Sequence, residues 1–382
     1  MNPGLQAIPG SMIRAIAALK QPGDIDLGLG EPTLPVDRAP FQAAVEWVSR
    51  HGCPYTPNAG DPELRSLIAS RCGQPGLGSP EHVCVTLGSQ EALYLAIKTL
   101  CDPARDEVLV VAPCYPAYEK LCALEGVAVR RVSLSPQTHF APDAARVLAA
   151  VGPATRLIVL ASPANPTGRV WPDEALQALA DGLLALGEAR PWVVVDEVYR
   201  ALCYVQPPVP LAARYDRTVV VNSLSKSHAL TGLRLGWLLA PTEVVQTAVK
   251  AHQFVVTAAS TFSQRVAHAI LSSPVALDAQ RPHYEAVRAH VVAEATRLGL
   301  AHVPPEGAFY MMLALPPHLQ ADSRAACIQL LEAQRVVTVP GVAFGAEGWL
   351  RLSWVAPREA IDLGLERIAA FFSRQQTPLP PA

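Results

Sequence analysis

Charge is scarce in this chain. Only 17% of its 382 residues are charged and the formal net charge is -2, so there is no basic field for nucleic acid or for an anionic membrane surface. Small neutral or zwitterionic ligands are the partners left. The eight cysteines, Cys53, Cys72, Cys84, Cys101, Cys114, Cys122, Cys203 and Cys327, form no C-x-x-C pair and none of the spacings that hold zinc. They read as buried free thiols of a reducing compartment, and no metal is expected. No run approaches the roughly 18 apolar residues of a membrane-spanning helix. The N-terminus lacks a basic start followed by an apolar stretch, and no Asn-x-Ser/Thr site is free of proline. The expected place is the cytoplasm.

What is present is apolar. Half of the residues are hydrophobic, and the length suits two domains at roughly 100–200 residues each. Short apolar runs recur at Val83–Thr86, Val108–Ala112, Leu157–Ala161, Trp192–Val195 and Thr218–Val221. They show no polar alternation, which predicts strands buried on both faces. Helical stretches at Gln90–Leu100, Ala117–Leu124 and Glu174–Ala189 fall between them. Such alternation predicts an α/β fold, a large domain with a mainly parallel sheet sandwiched by helices. From about residue 266 the pattern shifts to helices around Val266–Leu271 and Tyr284–Leu298, then to strand-like Phe309–Leu313 and Trp349–Trp354. A smaller α+β domain accounts for it. The expected division is 1–44 as an N-terminal segment packing on the small domain, 45–265 as the large domain and 266–382 as the small one. The proline-rich tail Thr377–Ala382 cannot continue a helix and is expected to fray. No internal repeat is present.

In open α/β sheets, ligands bind beyond the carboxyl ends of the strands, so the residue after each apolar run carries the information. The first run is followed by Gly88-Ser89-Gln90, a glycine turn opening a helix, which suits either a phosphate or a simple cap. The second is followed by Tyr115, a core aromatic or a ring placed at the sheet edge. The third leads into Asn165-Pro166-Thr167-Gly168, where the asparagine either caps a turn or aims its amide into the cleft. The fourth ends in Asp196 with Tyr199 just beyond. A carboxylate on so apolar a strand needs a cationic or hydrogen-bonding partner, and a plain salt bridge would supply one. The fifth ends in Asn222-Ser223-Leu224-Ser225-Lys226, with Arg234 eight positions on. Alone, such a lysine is a solvated surface residue, but five strands ending in five polar turns are hard to explain as five separate caps.

An ammonium with an ordinary pKa of about 10.4 is inert at neutral pH, and condensation with an aldehyde to an imine removes that obstacle. An aldehyde bearing a phosphate and a basic ring nitrogen would engage every group named, and pyridoxal 5'-phosphate is that cofactor. Asp196 would keep the pyridine nitrogen protonated, making the ring an electron sink. Tyr115 would stack on the ring, and Asn165 and Tyr199 would hydrogen-bond its oxygen. Ser89, Gln90, Ser223 and Arg234 would hold the phosphate, Arg234 as the charge-matched clamp. Lys226, once displaced by a substrate amine, would lie beside Cα and shuttle its proton.

Taken in order, these residues resemble the class I/II aminotransferase family, the fold-type I group of pyridoxal phosphate enzymes. The resemblance covers nearly the whole length. It is strengthened by Leu-Gly-Leu-Gly30-Glu-Pro, Pro-Tyr55-Thr-Pro-Asn-Ala-Gly-Asp-Pro-Glu-Leu-Arg, Pro-Glu-Gly-Ala-Phe309-Tyr310 and Trp-Leu-Arg351-Leu-Ser. It implies that Arg351 binds the substrate α-carboxylate bidentately, helped by Asn165 and the Gly30 backbone. It also implies that Tyr55 reaches the phosphate of the neighbouring subunit, hence a homodimer with composite sites acting on amino acids and 2-oxo acids.

The substrate side-chain pocket is the least legible part. One subgroup of the family has a lysine where this chain has Gln90, and its absence favours a neutral or aromatic donor over aspartate. His228 stands where relatives often have an aromatic or small residue, and it reads as pocket-lining or as a plain hydrogen-bonded histidine. The run Asn165-Pro-Thr-Gly-Arg-Val-Trp171 is also similar to the carbon–sulfur β-lyases of the same fold, so β-elimination, or another pyridoxal phosphate reaction on this fold, is the alternative to transamination. A non-enzymatic pyridoxal phosphate-binding regulator would call for a DNA-binding unit, and about 40 proline-rich residues before the core are too few for one.

Overall fold

The computed structural model describes residues 1–275 and 277–374; the tail from Thr377, expected to fray, lies outside the described residues. The chain begins with two short helices, Pro3–Ala7 and Met12–Ala17, each started by an N-cap side chain, Asn2 and Ser11, that accepts from a backbone N–H in the first turn. They lead into a two-residue strand, β1 (Ile25–Asp26).

The main sheet has seven strands: β2 (Val83–Thr86), β3 (Glu107–Ala112), β4 (Ala128–Ser133), β5 (Thr155–Ala161), β6 (Trp192–Asp196), β7 (Thr218–Ser223) and β8 (Gly236–Leu239). Their order is β2-β8-β7-β6-β5-β3-β4. Only β8 runs against the others, antiparallel to both β2 and β7. The five apolar runs of the sequence are five of these strands, and they all point the same way. Two strands had no signal of that kind. β4 is an edge strand whose Arg130 and Arg131 reach out to Glu107 and Glu119, and β8 opens on Gly236 just after the Arg234 turn.

Burial on both faces follows from the alternation of side chains along each strand. Val108, Val110, Leu157, Val159 and Val194 pack against the helices Ser89–Leu100, Ala117–Glu125 and Thr242–Val255. Their neighbours Leu109, Ile158, Leu160, Val193 and Val195 pack against Ala144–Ala150 and Asp173–Leu184. Each such side chain is worth about 1.5–3 kcal/mol of hydrophobic transfer. The helix expected to reach Ala189 stops at Leu184, because Gly187 adopts φ +61° and a short 3-10 turn replaces the last helical turn.

The last third forms a three-stranded antiparallel sheet in the order β11-β12-β9, from β9 (Tyr310–Ala314), β11 (Val339–Pro340) and β12 (Trp349–Ser353). A further short strand, β10 (Val336–Val337), pairs in parallel with β1. Helices Arg281–Arg297, Ser323–Gln334 and Arg358–Arg374 accompany them. Leu27 shares a buried cluster with Val336, Leu352 and Leu365, and Ile16 packs with Leu331 and Val337. The N-terminal segment is thereby fixed to this part of the chain.

Candidate active site

Past the carboxyl ends of the parallel strands lies a cavity of about 520 Å³, reached by Ser89, Gln90, Tyr115, Asn165, Asp196, Tyr199, Lys226 and Arg234 from the main-sheet side and by Tyr310 and Arg351 from β9 and β12. The N-terminal segment supplies its rim through Ser11, Ile13, Arg14, Leu29, Gly30 and Glu31. Sequence reasoning named ten of these residues, and two of its candidates lie elsewhere. Ser223 is buried at the end of β7, where its Oγ accepts from the Ser225 N–H (3.3 Å) and starts the short turn Leu224–Ser227; Ser225, two residues on, reaches the cavity instead. Tyr55 is 87% exposed and lines no part of it.

At one end of the cavity the helix Ser89–Leu100 begins without a side-chain cap, so its first backbone N–H groups are free for an anion. Arg234 stands beside it in the left-handed backbone region (φ +52°), its guanidinium donating to the carbonyls of Thr231 (2.9 Å) and Leu87 (3.3 Å). The turn has no room for side chains: a Cβ on Gly88 would lie 2.8 Å from Arg234 Nη2, and one on Gly236 2.6 Å from the Ser89 backbone N. Glu91 braces this turn by accepting from the Leu87 N–H (2.6 Å), and its other oxygen meets Nδ1 of the fully buried His252 (3.1 Å).

Asp196 closes the centre of the sheet edge. Its Oδ2 accepts from the Tyr118 hydroxyl (2.8 Å) and its Oδ1 from the Val198 N–H (3.2 Å). Burial pushes its carboxyl up to about 6, although Tyr118, the Val198 N–H and the Lys226 ammonium all pull it down. Glu197, the next residue, points the other way, pairs with Arg200 (2.9 Å) and accepts from the Gln74 amide (2.7 Å). Of two adjacent buried carboxylates, only Asp196 faces the cavity without an arginine of its own. Tyr118 gave no sign in the sequence, being one apolar position of an amphipathic helix.

Lys226 Nζ donates to the Gly30 carbonyl (2.8 Å). Gly30 has to be glycine, since a Cβ there would fall 1.8 Å from the Tyr310 hydroxyl. Tyr310 and Tyr199 share a hydrogen bond of 2.8 Å, and burial holds the Tyr199 phenol well above its ordinary pKa. Tyr199 therefore keeps its proton at any physiological pH.

Arg351, 2% exposed, donates through Nη1 to Asn165 Oδ1 (2.8 Å) and through Nη2 to the Gly28 carbonyl (2.6 Å). It is sandwiched by Tyr310 and Phe344, whose ring centroids lie 4.2 and 4.8 Å from its Cζ. Its Nε is buried with no partner, an unmet donor beside the cavity that suits a carboxylate. His228 turns aside, its Nδ1 bonded to Ser227 Oγ (2.8 Å), and burial lowers its pKa to about 4. Trp171 is also buried in the core behind the sheet.

An uncapped helix start with an arginine beside it, a buried carboxylate without a cation of its own, and a lysine that reaches the space between them fit pyridoxal phosphate. The comparisons agree. The family model for aminotransferase class I and II matches residues 22–368. The aspartate/prephenate aminotransferase of Thermus thermophilus is 34% identical over 92% of this chain and 91% of its own length. A probable N-acetyl-LL-diaminopimelate aminotransferase of Bacillus subtilis is 32% identical over 98% and 96%. Among solved structures, T. thermophilus aspartate aminotransferase with maleate superposes at a TM-score of 0.90 with 32% identity, covering 97% of this chain and 99% of that one. The aromatic aminotransferase of Pyrococcus horikoshii does so at 0.86 with 28% identity over 95% and 99%. On this site, this fold and these relatives, the chain belongs to the class I and II aminotransferase family and is a pyridoxal phosphate-dependent transferase.

Proposed function

We propose that this aminotransferase takes the amino group of a neutral or aromatic L-amino acid and passes it to a 2-oxo acid, working as a cytoplasmic homodimer. The observation that carries the reading is the convergence of Lys226, Asp196 and Arg351 on one cavity. Apolar Ile13 and Leu29 and the ring of Tyr115 on its walls support the choice of donor, as does the name of the aromatic aminotransferase among the relatives. The division of the chain at residues 44/45 and 265/266 belongs to the same reading, with Lys226 on the large domain and Arg351 on the small one.

When bound, the cofactor supplies an electrophilic carbon for the amino group and a ring that takes up electrons from the substrate Cα. Ser89, Gln90, Ser225 and Arg234 would hold its phosphate, with Ser223 keeping the turn before Lys226 in shape. Tyr115 would flank the ring, Asp196 would pair with the ring nitrogen, and Asn165 and Tyr199 would meet the ring oxygen. Asp196 suits that task because a cation set against it holds it ionised where burial alone would neutralise it. Arg351 would bind the α-carboxylate, with Asn165 and the Gly30 backbone beside it, and orient Cα toward Lys226. Lys226 Nζ would then take the Cα proton and later return one, as general base and acid.

The homodimer is supported by aromatic and aliphatic side chains left in solvent. Tyr55 is 87% and Phe254 86% exposed, with Val45 and Val255 also exposed. Asn58 Nδ2 donates to the Thr257 carbonyl (2.8 Å), which ties the Tyr55 turn to the end of the Phe254 helix. Tyr55 would reach the phosphate site of the neighbouring protomer.

Half-reactions test this reading. With a panel of amino acids and no acceptor, the bound cofactor is expected to convert to its amine form. Lys226→Ala is expected to lower that conversion on the order of 10,000-fold or more. Catalytic pyruvate and ammonia from cysteine conjugates, with no amine form, would replace transamination by β-elimination.

A further inference from the structure

Four cations line the cavity: Arg14, Lys226, Arg234 and Arg351. Three are committed. Lys226 is held by the Gly30 carbonyl, Arg234 by Thr231 and Leu87, and Arg351 by Asn165 and Gly28. Arg14 is different. Its backbone N–H is capped by Ser11 Oγ (3.3 Å), but its guanidinium makes no hydrogen bond or ion pair among the described residues, and the residue is exposed. Glu31, the carboxylate nearest in kind on the same rim, is occupied by the Thr231 hydroxyl. A guanidinium placed at a cavity wall with five donors unused is an anion site awaiting its anion.

The position of Arg14 is fixed although its head is free. Two residues on, Ile16 is buried against Leu331 and Val337, so the short helix Met12–Ala17 cannot swing away without exposing an isoleucine. Arg14 and Tyr115 line the same cavity. Burial pushes the Tyr115 phenol up, and Arg14 and Arg351 both pull it back. The two arginines therefore act on one hydroxyl, and that hydroxyl donates to Gln90 Oε1 (3.3 Å). Gln90 and Arg14 line the same cavity, one from the sheet edge and the other from the N-terminal segment.

We propose that Arg14 is the specificity residue for the substrate side chain, pairing with a second carboxylate on the 2-oxo acid that accepts the amino group. The proposal rests on the aminotransferase reading and sharpens it. Arg351 reads the carboxylate common to every substrate, and Arg14 reads the one that only a dicarboxylic substrate has. A neutral donor leaves Arg14 in water, which its exposure permits at little cost. Because transamination is reversible, the amino acid formed from that acceptor is a substrate as well, so both directions report on Arg14.

The test uses the holoenzyme and the variants Arg14→Gln and Arg14→Lys. Stopped-flow half-reactions give kcat/KM for glutamate and for leucine, and calorimetry gives the affinity of the unreactive acids succinate and butyrate. In Arg14→Gln the glutamate-to-leucine ratio is expected to fall about 10- to 100-fold, with partial recovery in Arg14→Lys, and succinate is expected to bind no better than butyrate. A ratio within about twofold of the parent, or undiminished succinate binding, would overturn the proposal. If no amino acid converts the wild-type cofactor, the aminotransferase reading fails, while the succinate arm, which needs no turnover, still decides the case of Arg14.

Discussion

The sheet edge and the N-terminal rim of the cavity hold their polar groups in opposite ways. At the sheet edge, Asp196, Tyr199 and Ser225 are buried, and Asp196 and Tyr199 each have a side-chain partner on the protein, Tyr118 and Tyr310. At the rim, Arg14 and Leu29 are exposed, and Gly30 and Gly28 contribute carbonyls rather than side chains. The sheet edge is finished before any ligand arrives, which is what preorganised electrostatics require. The rim is finished by the ligand. The residues proposed to hold the cofactor are thus built into the sheet edge, and the residue proposed to read the substrate side chain sits on a six-residue helix.

If that contrast is right, substitutions at the two regions differ in kind as well as in size. Arg351→Ala, between the regions, is expected to have the largest effect, lowering kcat/KM for every amino acid on the order of 1000-fold through loss of charge-assisted hydrogen bonds while the cofactor spectrum persists. An equal loss of cofactor would erase the distinction between the two ends. Next comes Asp196→Asn, measured as stability of the cofactor-free protein. The carboxyl sits at about 6 in the fold against 3.8 ordinarily, so folding favours its protonated form; that contribution is whole below about pH 4 and is lost as pH rises through 6. About two pKa units at about 1.4 kcal/mol each make the variant about 3 kcal/mol more stable than the parent at pH 8, with no gain at pH 4. A constant difference across that range would remove burial as the cause.

Glu91→Gln is a smaller test at the sheet edge. It weakens the brace on the Leu87–Gly88 turn, and a roughly tenfold rise in the dissociation constant for the cofactor is expected, with the amino acid preference unmoved. The smallest effect belongs to His228→Gln, a residue close to Lys226 in sequence and outside the cavity, where kcat/KM is expected to change by less than about twofold. Its stability signature has the opposite sign to that of Asp196. Burial lowers His228 from 6.5 to about 4, so the neutral ring's contribution is present above 6.5 and lost as pH falls through 4, and the variant gains on the parent toward acid. Urea melts of the two variants from pH 4 to 8 should therefore diverge in opposite directions.

The same contrast decides what the sequence could tell. Lys226, Asp196, Asn165, Tyr115 and Ser89 are found by one rule, because each follows a buried strand whose apolar run is unmistakable. The rule overlooked β4, whose arginines break the apolar run, and β8, which opens on a glycine just after the Arg234 turn. Ser223, which it also chose, ends a strand two residues longer than its apolar run and accepts from the Ser225 N–H. Tyr118 and Glu91 lie inside helices with ordinary amphipathic patterns, and nothing local marks a partner that is 78 or 161 residues away. Arg14 is the extreme case: an arginine in a short N-terminal helix has no periodicity to read, and the pairing of β1 with β10 together with the packing of Ile16 on Leu331 and Val337 brings that segment to the cavity.

Gly28 and Gly30 lend their carbonyl oxygens to Arg351 and Lys226 respectively. The two cations proposed to meet the substrate at its carboxylate and its Cα are thus spaced by a backbone ruler three residues long. Adding or removing a single residue between 28 and 30 would shift one carbonyl past its cation and put both ends of the substrate out of step. Length, rather than composition, is what this stretch of chain has least freedom to vary.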